Sequence, residues 1–201
     1  MTRRLTSTLA AFLACLTLST TAFAYAEKQL PTPQDPPQLE TDNTLFHVFR
    51  AALEKRRADQ IRRLERYRDD GIFPRNRISN VVTNIFRDAD GVLCAIAFLI
   101  DADGHDALLE ETAKNNNQVR IGELKDGALV NWVILSGLTQ DEVAMIQLPD
   151  SPVTHGGRDW MLEENERLVR HLDAAIASLK RNNDVSLDLA TMRLLSRFSR
   201  S

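Results

Sequence analysis

Cysteine is nearly absent from this chain: two residues in 201, Cys15 and Cys94. That excludes a disulfide-dense scaffold, and no C-x-x-C is present to suggest a redox or zinc motif. Histidine is also scarce, with His47, His105, His155 and His171, and no pair has the H-x-x-x-H spacing that puts two ligands on one helix face. A surplus of positive charge is missing too. The 25 basic and 28 acidic residues give a net charge of −3, which argues against a duplex-binding protein, so no nucleic-acid partner is expected. The chain contains no P-loop, no Gly-rich dinucleotide fingerprint and no G-x-S-x-G elbow to accompany His155-Gly156-Gly157. No cofactor is therefore expected.

What is present begins with an export signal. Arg3 and Arg4 precede an apolar stretch that ends in Ala22-Phe23-Ala24 and Ala24-Tyr25-Ala26, both of the small-x-small form cut by signal peptidases. Thr and Ser interrupt the apolar run, leaving it short of the ~20 residues a spanning helix needs. Residues 1–26 read as a signal peptide, with a periplasmic or secreted product and no membrane span after cleavage. A lipoprotein signal ending at Cys15 is the weaker alternative, because apolar sequence continues past it. Removing Arg3 and Arg4 leaves 23 basic against 28 acidic residues, a net charge of −5. Cys94 is then without an internal partner and reads as a small buried side chain in Leu93-Cys94-Ala95-Ile96.

Residues 27–43 hold Pro31, Pro33, Pro36 and Pro37 and read as an extended leader. From Thr44 the pattern is helical. Phe46, Phe49, Leu53, Ile61, Leu64 and Tyr67 recur on one face, and Gly71 follows the last turn. Eight basic residues alternate with five acids along this stretch, the pattern of a solvated surface laced with ion pairs. Arg57 breaks the apolar face and requires an acidic partner or an exit to water.

The middle of the chain is acidic, with 6 basic and 12 acidic residues over 71–157. Val82 to Arg87, the Asp88-Ala89-Asp90-Gly91 turn and Val92-Leu93 predict a short β-hairpin arm. Cys94 to Ile100 reads as a buried helix. Further helices are expected from Asp106 to the Asn115-Asn116-Asn117 run and between Gly127 and Gly137. Another follows Thr139, where Thr139 and Glu142 form a capping box. Two more are expected from Asp159 to about Asn182 and around Leu187, Ala190, Leu194 and Phe198, the last capped by Asp184 or Ser186.

The repeated DADG segments invite a calcium reading. Around Gly104 the EF-hand pattern is met by Asp101, Asp103 and Glu110, but Leu99 occupies the leading ligand position. Asp101, Asp103 and Glu110 are thus the weak metal candidates, and with His105 they make a conceivable hydrolytic cluster. Around Gly91 both end ligands are missing.

Gly71-x-Phe73-Pro74-x-Asn76, then Phe86-x-Asp88-x-x-Gly91-x-x-Cys94-Ala95, then Trp132 and Gly137-Leu138-Thr139-x-x-Glu142 with Ile146-Gln147, resemble a group of uncharacterised secreted bacterial proteins. The resemblance spans about residues 67–148 and implies a bacterial, exported origin without a mechanism. The expectation is a mainly α protein: an irregular helical domain over 44–201 with one short β-hairpin arm and long N- and C-terminal helices. Its expected role is non-enzymatic, binding an unknown protein or a cell-envelope component. A periplasmic metal-binding protein or hydrolase using Asp101, Asp103, His105 and Glu110 is the alternative.

Overall fold

A computed structural model describes residues 38–199 except 148 and 154–156. The signal peptide and the proline-bearing part of the leader lie outside the described residues. Contact density divides the chain into Met1–Thr41 and Asp42–Ser201. Of the first unit, residues 38–41 are described, and they are helical; the rest of the description concerns the second.

Seven α-helices are found among the described residues: α1 (Gln38–Asp70), α2 (Ala95–Ala102), α3 (Asp106–Asn115), α4 (Ala128–Ser136), α5 (Gln140–Ile146), α6 (Gly157–Arg181) and α7 (Asn183–Phe198). A 3-10 turn, Ile121–Glu123, precedes α4. The protein is mainly helical, and no described helix is long and apolar enough to cross a membrane. Residues 38–43, assigned to the leader from sequence, belong to α1. The leader's prolines end at Pro37, and from Gln38 to Asp70 every residue has an amide to donate.

Periodicity explains the core. Leu53, Ile61, Leu64 and Tyr67 turn one stripe of α1 inward, and Leu168, Leu172, Ala175, Ile176 and Leu179 do the same for α6. The same core takes in α2, whose Ala95, Ile96, Ala97, Leu99 and Ile100 are all buried. Its two small alanines let neighbouring elements approach closely. Truncating a fully enclosed side chain such as Leu64 to alanine would cost ~2–5 kcal/mol. A smaller cluster joins Leu53 of α1 to Leu187 and Ala190 of α7.

The expected β-hairpin arm is not formed. Arg87 and Leu93 make one isolated antiparallel bridge, and no strand is assigned among the described residues. The Asp88–Gly91 turn is present, with Gly91 at φ 84° and the Gly91 N–H donating to Asp88 O. However, α2 begins at Ala95, so Val92 and Leu93 are all that remains for a return strand. Across the turn the Asp88 N–H donates to Val92 O and the Cys94 N–H to Phe86 O, but the Phe86 N–H donates to Asn117 O at 2.8 Å and the Arg87 N–H to Asn117 Oδ1 at 2.9 Å. The backbone groups of the outgoing arm are thus shared between the short return and the loop after α3.

Candidate functional site

The irregular chain between α1 and α2 is held by specific side-chain and backbone hydrogen bonds. Gly71, at φ 63°, turns the chain out of α1. Phe73 then packs edge-on against Tyr67, with ring centroids 5.4 Å apart. The organiser beyond it is Asn76, 1% exposed. Its Nδ2 donates to Val81 O (2.9 Å) and Asp150 O (3.3 Å), and its Oδ1 accepts from the Ser79 N–H (3.1 Å). Thr83 and Asp150 exchange both backbone hydrogen bonds, and the Val153 N–H donates to Asn76 O. The loop 76–83 is thereby closed at both ends against residues 150–153.

This scaffold holds aliphatic side chains in water. Ile78, Val81 and Val82 are 63%, 68% and 57% exposed, and Val153 across the bridge is 42% exposed. A buried asparagine commits both amide hydrogens and its carbonyl oxygen to framing a loop whose apolar residues stay largely exposed. Clustered exposed aliphatics on a fixed frame are a mark of interaction surfaces.

Beneath the loop sits Asp150, almost fully buried. Its Oδ2 accepts from the Ile85 N–H at 3.1 Å. Burial pushes its carboxyl up to about 7; the Ile85 N–H, Arg167 and Arg75 act against this, and the charge of Glu164 adds to it. Glu164 itself is held below the ordinary carboxylate range. Burial opposes that, but the hydrogen bonds from Arg167 and the Ser151 N–H outweigh it. Arg167 Nη2 also donates to Pro149 O at 3.0 Å, so α6 clamps the same segment from the other side.

Asp150 also lines a cavity of about 30 Å³ with Tyr67, Cys94, Gln147 and His171, room for a water molecule but not for a substrate. Cys94 is the N-cap of α2, its Sγ accepting from the Ala97 N–H at 3.4 Å. Burial pushes its thiol up to about 12, which keeps it protonated and a poor nucleophile. Burial likewise raises the Tyr67 phenol, whose OH donates to Leu93 O. His171 Nε2 lies 2.7 Å from Met145 O. Cys94 and Tyr67 act as neutral hydrogen-bonding side chains. Sequence reasoning missed Asp150 and His171, since one follows a proline in a loop and the other interrupts a helical seam with no motif around it.

The candidates taken from sequence are not brought together. Asp101 and His105 are exposed at the end of α2 and the start of α3. Asp103 accepts from Gln60 Nε2 (2.7 Å), Trp132 Nε1 (2.9 Å) and Arg63. Burial would raise its carboxyl, but the hydrogen bonds from Arg63, Trp132 and Gln60 hold it below its ordinary value. It ties α1 to α4. Glu110 lies on α3 as the exposed partner of Arg87. Among the described residues no group of three His, Cys, Asp or Glu side chains is placed to hold a metal ion.

Arg57 does find its acid. Glu142 accepts from Nη1 at 2.8 Å and Nη2 at 2.7 Å, a two-pronged pair. The remaining guanidinium hydrogens go to Gly137 O, Leu179 O and Asn183 Oδ1, so all five are used. Glu142 also accepts from Ser186 Oγ (2.7 Å) and, through the capping box, from the Thr139 N–H (2.8 Å). Gly137 (φ 81°) permits this closeness, because a Cβ there would stand 2.4 Å from Leu53 O. This cluster joins α1, α5, α6 and α7 as a structural lock. No family model, no curated protein and no solved structure matches the chain.

Proposed function

We propose that this is an exported bacterial protein that acts by binding rather than by catalysis, and that the loop 76–83 is its contact surface with a protein of the cell envelope. One observation carries the reading: a frame of buried hydrogen bonds around Asn76 holds Ile78, Val81 and Val82 outward. Pre-ordering a contact loop in this way reduces the entropy lost when a partner docks. A protein partner suits the tip better than a lipid surface, because residues 76–83 contain no aromatic residue and their one basic side chain, Arg77, is paired with Asp90. The signal-like residues 1–26 support export, and the resemblance over residues 67–148 supports a bacterial source. The metal-dependent alternative gains no support, since Asp103 and Glu110 are engaged by Arg63 and Arg87.

The test is a photo-crosslinking amino acid at Val82 in the protein expressed in intact cells of its host. The reading expects one discrete protein adduct that disappears when Ile78→Asp and Val81→Asp are added, while a probe at Lys125 gives none. Adducts with lipid alone, or an adduct indifferent to the two aspartates, would overturn it.

A further inference from the structure

The last helix has two apolar faces, and the fold uses one. Leu187, Ala190 and Thr191 are buried, with Leu194 packed beside them. On the opposite side, Val185, Leu189 and Met192 follow the i, i+4, i+7 spacing of a single helical stripe and are 67%, 52% and 51% exposed. An outward seam of this kind is not needed to close the domain.

We propose that this seam pairs α7 with the α7 of a second copy of the chain, the two helices running parallel about a two-fold axis. The stripe fits a heptad in which Val185 and Met192 take d positions and Leu189 and Ser196 take a positions. Asp188 then falls at g and Arg193 at e. Five residues separate them, the spacing at which g of one parallel helix meets e of the other. Two-fold symmetry makes the contact twice, Asp188 to Arg193 of the second copy and the reverse. An antiparallel pair would instead set g against g, aspartate against aspartate.

Both charges remain available for it. Asp188 uses Oδ1 for Arg50 at 2.7 Å but keeps a side chain 48% exposed. Arg193 Nη2 donates to the neutral amide oxygen of Gln140 at 2.7 Å, so its charge meets no carboxylate in that contact. The seam spans barely two heptads, well short of a standard interface area, so the association is weak and concentration-dependent. The loop 76–83 takes no part in it.

Sedimentation equilibrium of the purified full chain, from ~5 to ~500 µM, reads the association directly. A reversible dimer is expected, with a Kd raised at least tenfold by Leu189→Asp or by Arg193→Asp. Both residues face outward or onto the rim, and circular dichroism checks that each variant keeps its helices. Orientation is read by oxidation of variants that each add one cysteine to the chain. Val185→Cys and Met192→Cys should each crosslink to themselves, while a mixture adds no preferred cross-product and the parent chain gives none. A monomer across the whole range, a dimer indifferent to Leu189→Asp, or crosslinks that form between positions 185 and 192 would overturn the proposal. Because Ile78→Asp and Val81→Asp leave this seam untouched, loss of envelope binding and loss of dimer are separable results.

Discussion

Glu142 and Asp150 are both carboxylates withdrawn from water, yet the protein resolves them in opposite ways. Glu142 meets a guanidinium in two-pronged geometry, a serine hydroxyl and a backbone N–H, and burial is outweighed so that its carboxyl lies below the ordinary range. Asp150 meets one backbone N–H from Ile85, and burial together with the neighbouring charge of Glu164 lifts it to about 7. The first locks four helices with a permanent charge pair. The second fastens a loop with a group that changes charge near neutrality. Burial alone does not decide whether a carboxylate is fixed or adjustable; the number and charge of its donors do.

The largest effect should come from breaking the lock. Arg57→Met leaves Glu142 buried without its cation, and removing one partner of such a pair costs roughly 3–5 kcal/mol. Denaturant unfolding should show it, with part of the loss recovered in Arg57→Met/Glu142→Gln. If the single variant is as stable as the parent, the lock has been misjudged.

Asp150→Asn should act in the other direction and depend on pH. A carboxyl raised in the folded state contributes stability that is fully present below its unfolded value, 3.8, and is lost as pH rises through about 7. The asparagine keeps an acceptor for the Ile85 N–H and carries no charge. Its unfolding free energy should match the parent's near pH 4 and exceed it at pH 8, by an amount on the order of 4 kcal/mol. Equal pH dependence in both proteins would remove the contrast between the two carboxylates.

Asn76→Ala removes three hydrogen bonds at a buried position, a loss of about 1–3 kcal/mol. Hydrogen exchange should speed up at the Ser79, Thr83 and Val153 amides and leave those of α6 unchanged. A globally uniform acceleration would mean that the loop frame is not a local unit. The smallest change is expected for Glu110→Gln, which releases Arg87 at an exposed site where ion pairs contribute little. Its unfolding curve should overlay the parent's, with or without added calcium. A calcium-dependent Tm in the parent that the variant loses would restore the metal reading.

Local signals were legible wherever a residue's role is decided by its neighbours in the chain. The Thr139–Glu142 capping box is present as the spacing indicated, and Gly137 ends α4 in the left-handed conformation. The need of Arg57 for an acid was also legible, but the acid lies 85 residues away. The hairpin reading failed for a related reason. The Asp88–Gly91 turn is local and real, but α2 begins at Ala95, and the Phe86 and Arg87 N–H groups turn to Asn117, supplied by a distant loop.

Order along the chain therefore settled the helical character, the Thr139 capping box and the turns, because propensity and periodicity act within a few residues, whereas the last helix is capped by Asn182 and not by Asp184 or Ser186. Tertiary structure alone decided which charges meet. It placed Asp103 under Trp132 and Arg63, sent Glu110 to Arg87, and buried Asp150 beside Glu164 while leaving Val81 and Val82 in water. Desolvation and charge pairing depend on distances across the fold, and those distances are not written in any short stretch of sequence.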